Sequence, residues 1–272
     1  MSQAIVAAVQ MTSTANVAAN LETARRLLEQ AREGGACLAV LPENFSFMGR
    51  NPAERRAVVE ADGDGPAQNG IAAAARELGL WIVAGTQPIA VPGEARPANA
   101  CIVYDSGGSR VARYDKIHLF DVDLRDGREA YRESANAFPG AKFVTIDTPA
   151  GRLGLSVCYD LRFPELYRRL VSEGAEIFSV PSAFTGPTGR AHWEVLLRAR
   201  AIEDLSYVIA AAQTGLHDNN RETYGDSLVV DYWGRVIARL PRGSGVVLAA
   251  IDRERQAATR ASFPALKHRV VG

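Results

Sequence analysis

The chain alternates short apolar runs with longer stretches in which apolar residues recur every three or four positions. The runs cover residues 4–11, 37–43, 81–89, 153–159, 176–183 and 207–214. Both alternating faces of each run are apolar, the pattern of strands covered on two sides rather than one. Between the first two runs, residues 16–33 carry Val17, Leu21, Ala24, Leu27, Leu28 and Ala31 on one stripe. That spacing predicts a helix, stopped by Gly34 and Gly35. Similar stripes predict helices over 70–78, 164–171 and 191–205.

Three further segments, "ACIVYDSGGSRVARYDKI", "KFVTIDTPAGRLGLSV" and "SLVVDYWGRVIARL", each hold two strand-like runs around a Gly-bearing turn. Crossover units plus hairpins imply mixed sheets. Two such sheets facing each other, with helices outside, would bury every apolar strand twice, so the expected class is α/β. No linker or charge block divides the sequence, and residues 1–272 are read as one domain. The more polar tail, about 252–272, is expected to lie on the surface or on a partner subunit.

Charge narrows the partners. Lys plus Arg and Asp plus Glu both total 31, so no broad field for a polyanion is expected, and nucleic acid is excluded as a partner. The first residues lack a basic segment before their apolar stretch, and no stretch is apolar for the roughly 18 residues of a membrane span. A cytoplasmic protein is expected, with no membrane association. Cys37, Cys101 and Cys158 are odd in number and widely separated, which suggests neither a disulfide framework nor a zinc site. No nucleotide-binding glycine motif or HExxH string is present, so neither a cofactor nor a metal is expected.

Cys158 is the candidate for chemistry. It ends an apolar run and lies a few residues before a helix opened by Pro164, where backbone N–H groups and the helix dipole favour negative charge. A nucleophilic thiol needs a base. His118, in "YDKIHLFDVDL", is one candidate; His192, beside Trp193, suits packing or capping near a helix start. Glu43, closing "CLAVLPE", is the other candidate, because a carboxylate at the end of a buried strand needs a partner. Lys116 ends a strand-like run and would carry a charge into the same cavity. Together Glu43, Lys116 and Cys158 would supply a base, an electrophilic clamp and a nucleophile for attack on a carbon–nitrogen bond.

"LPEN" around Glu43, "YDKIHLFDVD" around Lys116 and "GLSVCYDLRFPELYRRL" around Cys158 resemble the three motif blocks of the nitrilase superfamily, in the family's order. The resemblance runs from "VAAVQM" to "FPALKHR". It implies a four-layer α-β-β-α sandwich, subunits paired as a homodimer or higher oligomer, and a small-molecule amide as substrate. It maps the catalytic residues onto Glu43, Lys116 and Cys158, and the family's second active-site Glu onto Glu133 in "YRESANAFPG". "CYDLRFPEL", "PSAFTGPTGRAHWEVLLRARAIE" and "AAAQTG" resemble the omega-amidase-like branch, which cleaves a terminal or γ-linked amide of a 2-oxo acid. One departure stands out: Asp226 occupies a position where that branch usually has His.

On this reading Glu43 takes the thiol proton, Cys158 attacks, and Lys116 with the N–H of Tyr159 holds the oxyanion. Hydrolysis of the resulting thioester completes the reaction, with Glu133 positioning the substrate or Lys116. Arg162 would bind a substrate carboxylate, or else pair with Asp160 or Glu165 to fix the turn. Phe184 and Thr185, after a strand, would line the pocket. The alternatives are a 2-oxoglutaramate omega-amidase, an N-carbamoyl amino acid hydrolase, a nitrilase or acyltransferase with the same residues, and a non-catalytic dimeric module.

Overall fold

A computed structural model of the chain describes residues 3–124 and 130–271. In chain order its strands are β1 Ala4–Gln10, β2 Leu38–Val40, β3 Trp81–Ile89, β4 Ala98–Tyr104, β5 Arg110–Asp115, β6 Asp121–Asp123, β7 Ala130–Arg132 and β8 Thr145–Thr148. They continue with β9 Gly151–Leu155, β10 Ile177–Ser179, β11 Tyr207–Ala210, β12 Thr214–Leu216, β13 Glu222–Tyr224, β14 Ser227–Val230, β15 Val236–Leu240 and β16 Gly245–Ile251. The helices are α1 Val17–Glu33, α2 Pro52–Ala57, α3 Pro66–Leu78, α4 Pro164–Ser172, α5 Gly186–Asp204 and α6 Arg253–Ser262.

Two six-stranded sheets form the centre, ordered β16-β1-β2-β3-β4-β5 and β15-β14-β11-β10-β9-β8. Each has parallel strands in its middle and antiparallel pairs at its edges; these are hairpins except at the β16–β1 edge, where the last strand returns to the first. The two faces of β1 divide between two cores. Val6 and Ala8 pack with Leu153, Leu155 and Val229 of the second sheet, while Ala7 and Val9 pack with Leu27, Leu28 and Ile71 from α1 and α3. Leu166, Tyr167 and Leu170 of α4 and Trp193, Leu197 and Ala201 of α5 join the core of the second sheet. The order is therefore helices, sheet, sheet, helices: an α/β fold of four layers.

Several elements differ from the sequence expectation. The run 37–43 yields only Leu38–Val40 as strand, and 153–159 stops at Leu155, because both segments leave their sheet to form loops at the strand ends. Helix α5 begins at Gly186 instead of 191: Thr185 caps it, and Pro187 falls in the first turn, where a missing N–H costs nothing. His192 thus lies inside the helix rather than near its start. Helices α2 and α6 have no counterpart in the apolar stripes. In the tail, Gln256 of α6 donates to the carbonyls of Glu176 and Leu205 at 2.8 and 2.9 Å, so this helix packs on its own chain. Gly272, the end of that tail, lies outside the described residues. Among the described residues no helix is long and apolar enough to cross a membrane.

Candidate active site

The loops leaving the strand ends converge on one cavity of about 470 Å³. Glu43 follows β2 through Leu41 and Pro42, and Leu41 N–H still donates to Val83 of β3 at 2.9 Å. The neighbouring strand can approach because position 85 is glycine; a Cβ there would collide with the carbonyl of Pro42. Asn44 then turns the chain with φ +58°, its N–H donating to Thr86 Oγ1 at 2.9 Å. Lys116 comes directly after β5, its N–H on Asn99 O at 3.0 Å and its carbonyl accepting from Gly140 at 2.9 Å. Glu133 opens a 3₁₀ turn over Glu133–Ala135. Cys158 heads another over Cys158–Arg162, with φ +49° and its N–H on the carbonyl of Pro181 at 2.9 Å. A positive φ on a side-chain-bearing residue costs energy and persists only where the surroundings enforce it.

These four side chains meet. The Lys116 ammonium lies 2.8 Å from Glu43 Oε1, 2.8 Å from Glu133 Oε2 and 3.0 Å from Glu133 Oε1. Glu133 also accepts from the N–H of Phe120 at 2.7 Å and from the amide of Asn99. Glu43, Lys116 and Cys158 are buried and Glu133 nearly so. A buried ammonium has three protons to place, and two carboxylates take them.

The electrostatics set the resting protonation. Burial raises the proton affinity of Glu43, but the charge and hydrogen bond of Lys116, with a hydrogen bond from the Cys158 thiol, outweigh it and hold the carboxyl below its usual range. Burial also works against the Lys116 charge, yet the facing carboxylates of Glu133 and Glu43 push its pKa up. The Cys158 thiol is pushed up by burial and then by the Glu43 charge, against the opposing pull of Lys116 and a hydrogen bond from the Ala183 N–H. A resting thiol agrees with the expectation that Glu43 takes the thiol proton during attack. The sulfur lies on the 3₁₀ turn ahead of α4, in a buried setting beside an anion, and rests as a thiol hydrogen-bonded to a ready acceptor.

His118, the rival base, points elsewhere: its Nδ1 meets Asp160 Oδ1 at 2.7 Å and its ring stacks on Phe163 at 3.7 Å. Asp160 is fully engaged, also accepting from the N–H groups of His118 and Val157 and from Tyr114 Oη. Arg162 therefore does not pair with Asp160. Its guanidinium lies 5.4 Å from the ring of Phe184 and 5.7 Å from that of Tyr159, with Nη1 donating to His192 Nδ1 at 3.2 Å. Tyr159, Arg162, Phe184 and Thr185 all line the cavity, and Thr185 is also the cap of α5. Arg50, Arg132 and Arg221 line it too, giving the mouth a cationic character.

Asp226, which stands where the similar branch usually has His, does not line the cavity. Its buried carboxylate is held bidentately by Arg239 at 2.6 and 2.7 Å, and its carbonyl accepts from Trp193 Nε1. Sequence reasoning missed Asn99, Arg55, Ala183 and Arg221. It also missed Gln213, although the polar interruption in "AAAQTG" was visible; its carboxamide donates to Glu43 O and Ser13 Oγ and accepts from Ser13 N–H.

The paired sheets and the buried thiol, ammonium and carboxylates define a hydrolase class. The chain belongs to the carbon-nitrogen hydrolase family, whose model matches residues 5–261. It is 46% identical over 278 residues to the deaminated glutathione amidase of Rattus norvegicus, covering 97% of this chain and 82% of the rat protein. Among solved structures it resembles the NitFhit protein of C. elegans, with TM-score 0.91 and 39% identity over 98% of this chain. This chain spans 65% of that longer protein. It also resembles Nit3 of Saccharomyces cerevisiae, a member of branch 10 of the nitrilase superfamily, with TM-score 0.88, 30% identity and coverage of 100% of this chain and 98% of that one.

Proposed function

We propose that the chain is an amidase acting on a small carboxylated amide of a 2-oxo acid, of the kind represented by deaminated glutathione, through a thioester on Cys158. The observation that carries this reading is the Lys116 ammonium clamped between Glu43 and Glu133, with the buried Cys158 thiol in the same cavity. Supporting it, the chain aligns over 97% of its length with a relative named for deaminated glutathione amidase.

In the first half-reaction Cys158 Sγ attacks the amide carbon as its proton passes to Glu43. The oxyanion is held by Lys116 and the N–H of Tyr159, each donor being worth a factor of roughly 100 to 1,000 in rate. Glu43 returns the proton to the leaving nitrogen, and the C–N bond breaks to give a thioester. In the second, water loses a proton to Glu43, attacks the thioester and frees the thiol. Glu133 keeps Lys116 aimed at the oxygen. Arg162 takes the substrate carboxylate, while Phe184 and Thr185 shape the wall around it. In the same reading residues 1–272 act as one domain in a cytoplasmic homodimer or higher homo-oligomer.

The test measures product release from deaminated glutathione beside 2-oxoglutaramate, an N-carbamoyl amino acid and a nitrile. Deaminated glutathione should be turned over best, with an acyl adduct visible by intact mass that is absent in folded Cys158→Ala. Turnover of only the carbamoyl compound or nitrile, or undiminished turnover in Cys158→Ala, would reject the reading.

A further inference from the structure

The charges around the buried sulfur do not balance on the four reacting and clamping residues alone. Glu43 and Glu133 are two carboxylates, and Lys116 is one ammonium shared between them. A second cation, the half-buried Arg55 of α2, faces the same group. Its guanidinium donates to Asn99 Oδ1 and reaches Asn44 Oδ1 at 3.5 Å, while Asn99 passes its own amide N–H to Glu133. We propose that Arg55, acting through Asn99, is a positioning residue that completes the charge balance of the site and holds Glu133 on Lys116. The inference rests on the amidase reading and extends it to a residue outside the four that react or clamp.

The surroundings of Arg55 suit this role. Its helical neighbour Glu54 is turned away, paired with Arg50 at 2.9 Å. Asp115, beside Lys116, is paired with Arg113 at 2.7 Å. The carboxylates facing Arg55 are Glu133 and, more weakly, Glu43. Glu43 in turn faces Lys116, Cys158 and Arg221, and Arg221 is engaged with the carbonyl of Ala183 and lies 5.1 Å from the ring of Tyr131. Asn99 is buried on β4, and its Oδ1 and Nδ2 are each occupied, so the amide has one orientation. A neutral amide between guanidinium and carboxylate has a further effect: both Glu133 oxygens remain available to Lys116, which a direct Arg–Glu fork would take.

Removing the Arg55 charge leaves the two carboxylates with the Lys116 ammonium and the weaker pull of Arg221 on Glu43. Every proton affinity in the group then rises, so Glu43 is neutralised at a higher pH and stops accepting the thiol proton sooner on acidification.

The test is alkylation of Cys158 by iodoacetamide as a function of pH, read by intact mass and peptide mapping, since Cys37 is partly exposed and can also react. It needs no choice of substrate. In folded Arg55→Met the acid limb of Cys158 alkylation, and of amide kcat/KM, should move up by about one pH unit. Arg55→Lys, which keeps the charge, should bring it back towards wild type. Arg55→Gln gives the same comparison if the methionine variant does not fold. An unshifted limb in the charge-removing variant overturns the proposal, as does a rise in KM alone, which would make Arg55 a substrate contact. Wild-type enzyme that neither alkylates at Cys158 nor releases amide product would instead sink the amidase reading, a result separable from either.

Discussion

Gln213 and Glu43 are joined across the two sheets: the carboxamide of one donates to the backbone carbonyl of the other at 3.0 Å, over 170 positions of chain. The same carboxamide binds Ser13 at 2.6 and 2.9 Å. The candidate base is therefore fixed from the opposite layer, so its position reports how the sheets are docked. Gln213→Leu would leave the Ser13 N–H and Glu43 carbonyl buried without partners. At about 1–3 kcal/mol for each of these two groups, a loss of roughly 2–6 kcal/mol in stability is expected from urea unfolding. In the folded fraction kcat should fall more than KM changes, because the error falls on the reacting group.

The resting state, neutral thiol beside ionised carboxylate, has a pH signature. Glu43 is held below the usual carboxylate range and Cys158 above the usual thiol range. A depressed carboxyl keeps its charge above its own pKa and loses it as pH falls through that value. The kcat/KM profile should thus be level through neutral pH and decline only below the ordinary Glu value of about 4.3. A rise centred near the ordinary thiol value of about 8.5 would mean that the thiolate forms without Glu43.

Among the described residues Arg162 is held by two rings and the imidazole of His192. Its fork remains able to take a planar anion. Arg162→Lys should reduce the preference for acidic over neutral amides by roughly tenfold, measured as a ratio of kcat/KM values. An unchanged ratio would assign recognition to another guanidinium of the mouth.

Asp226 binds Arg239 away from the cavity. Asp226→Asn should cost about 1–2 kcal/mol in thermal or urea unfolding, tempered by the partly exposed position of Arg239. Amide turnover and Cys158 alkylation should stay at wild-type levels. A change in substrate preference would tie this loop to the pocket.

The layers were legible because the apolar runs lack polar alternation and the stripe of α1 has a clear helical period. Glu43 and Lys116 were legible as charges at the ends of apolar segments, and Cys158 as a thiol between aliphatics and a charged turn. Arg55 was not. Its helix is six residues long with no buried member, so no apolar period marks it. The strand lengths were overread for a related reason: residues 41–43 and 156–158 are as apolar or as buried as strand, but their backbone bends out of the sheet. Periodicity reports burial, and burial continues where hydrogen-bonded pairing has stopped.

The arginines at the cavity mouth also act on the departing product. Hydrolysing an amide frees a carboxylate and a protonated amine, so the acyl fragment leaves with one anionic group more than it arrived with. Guanidinium groups that draw an acidic substrate inward will also retard the outgoing acid. At low ionic strength escape of the acid should therefore slow turnover, and modest added salt should raise kcat before it weakens capture, a dependence that steady-state assays across salt concentrations would read.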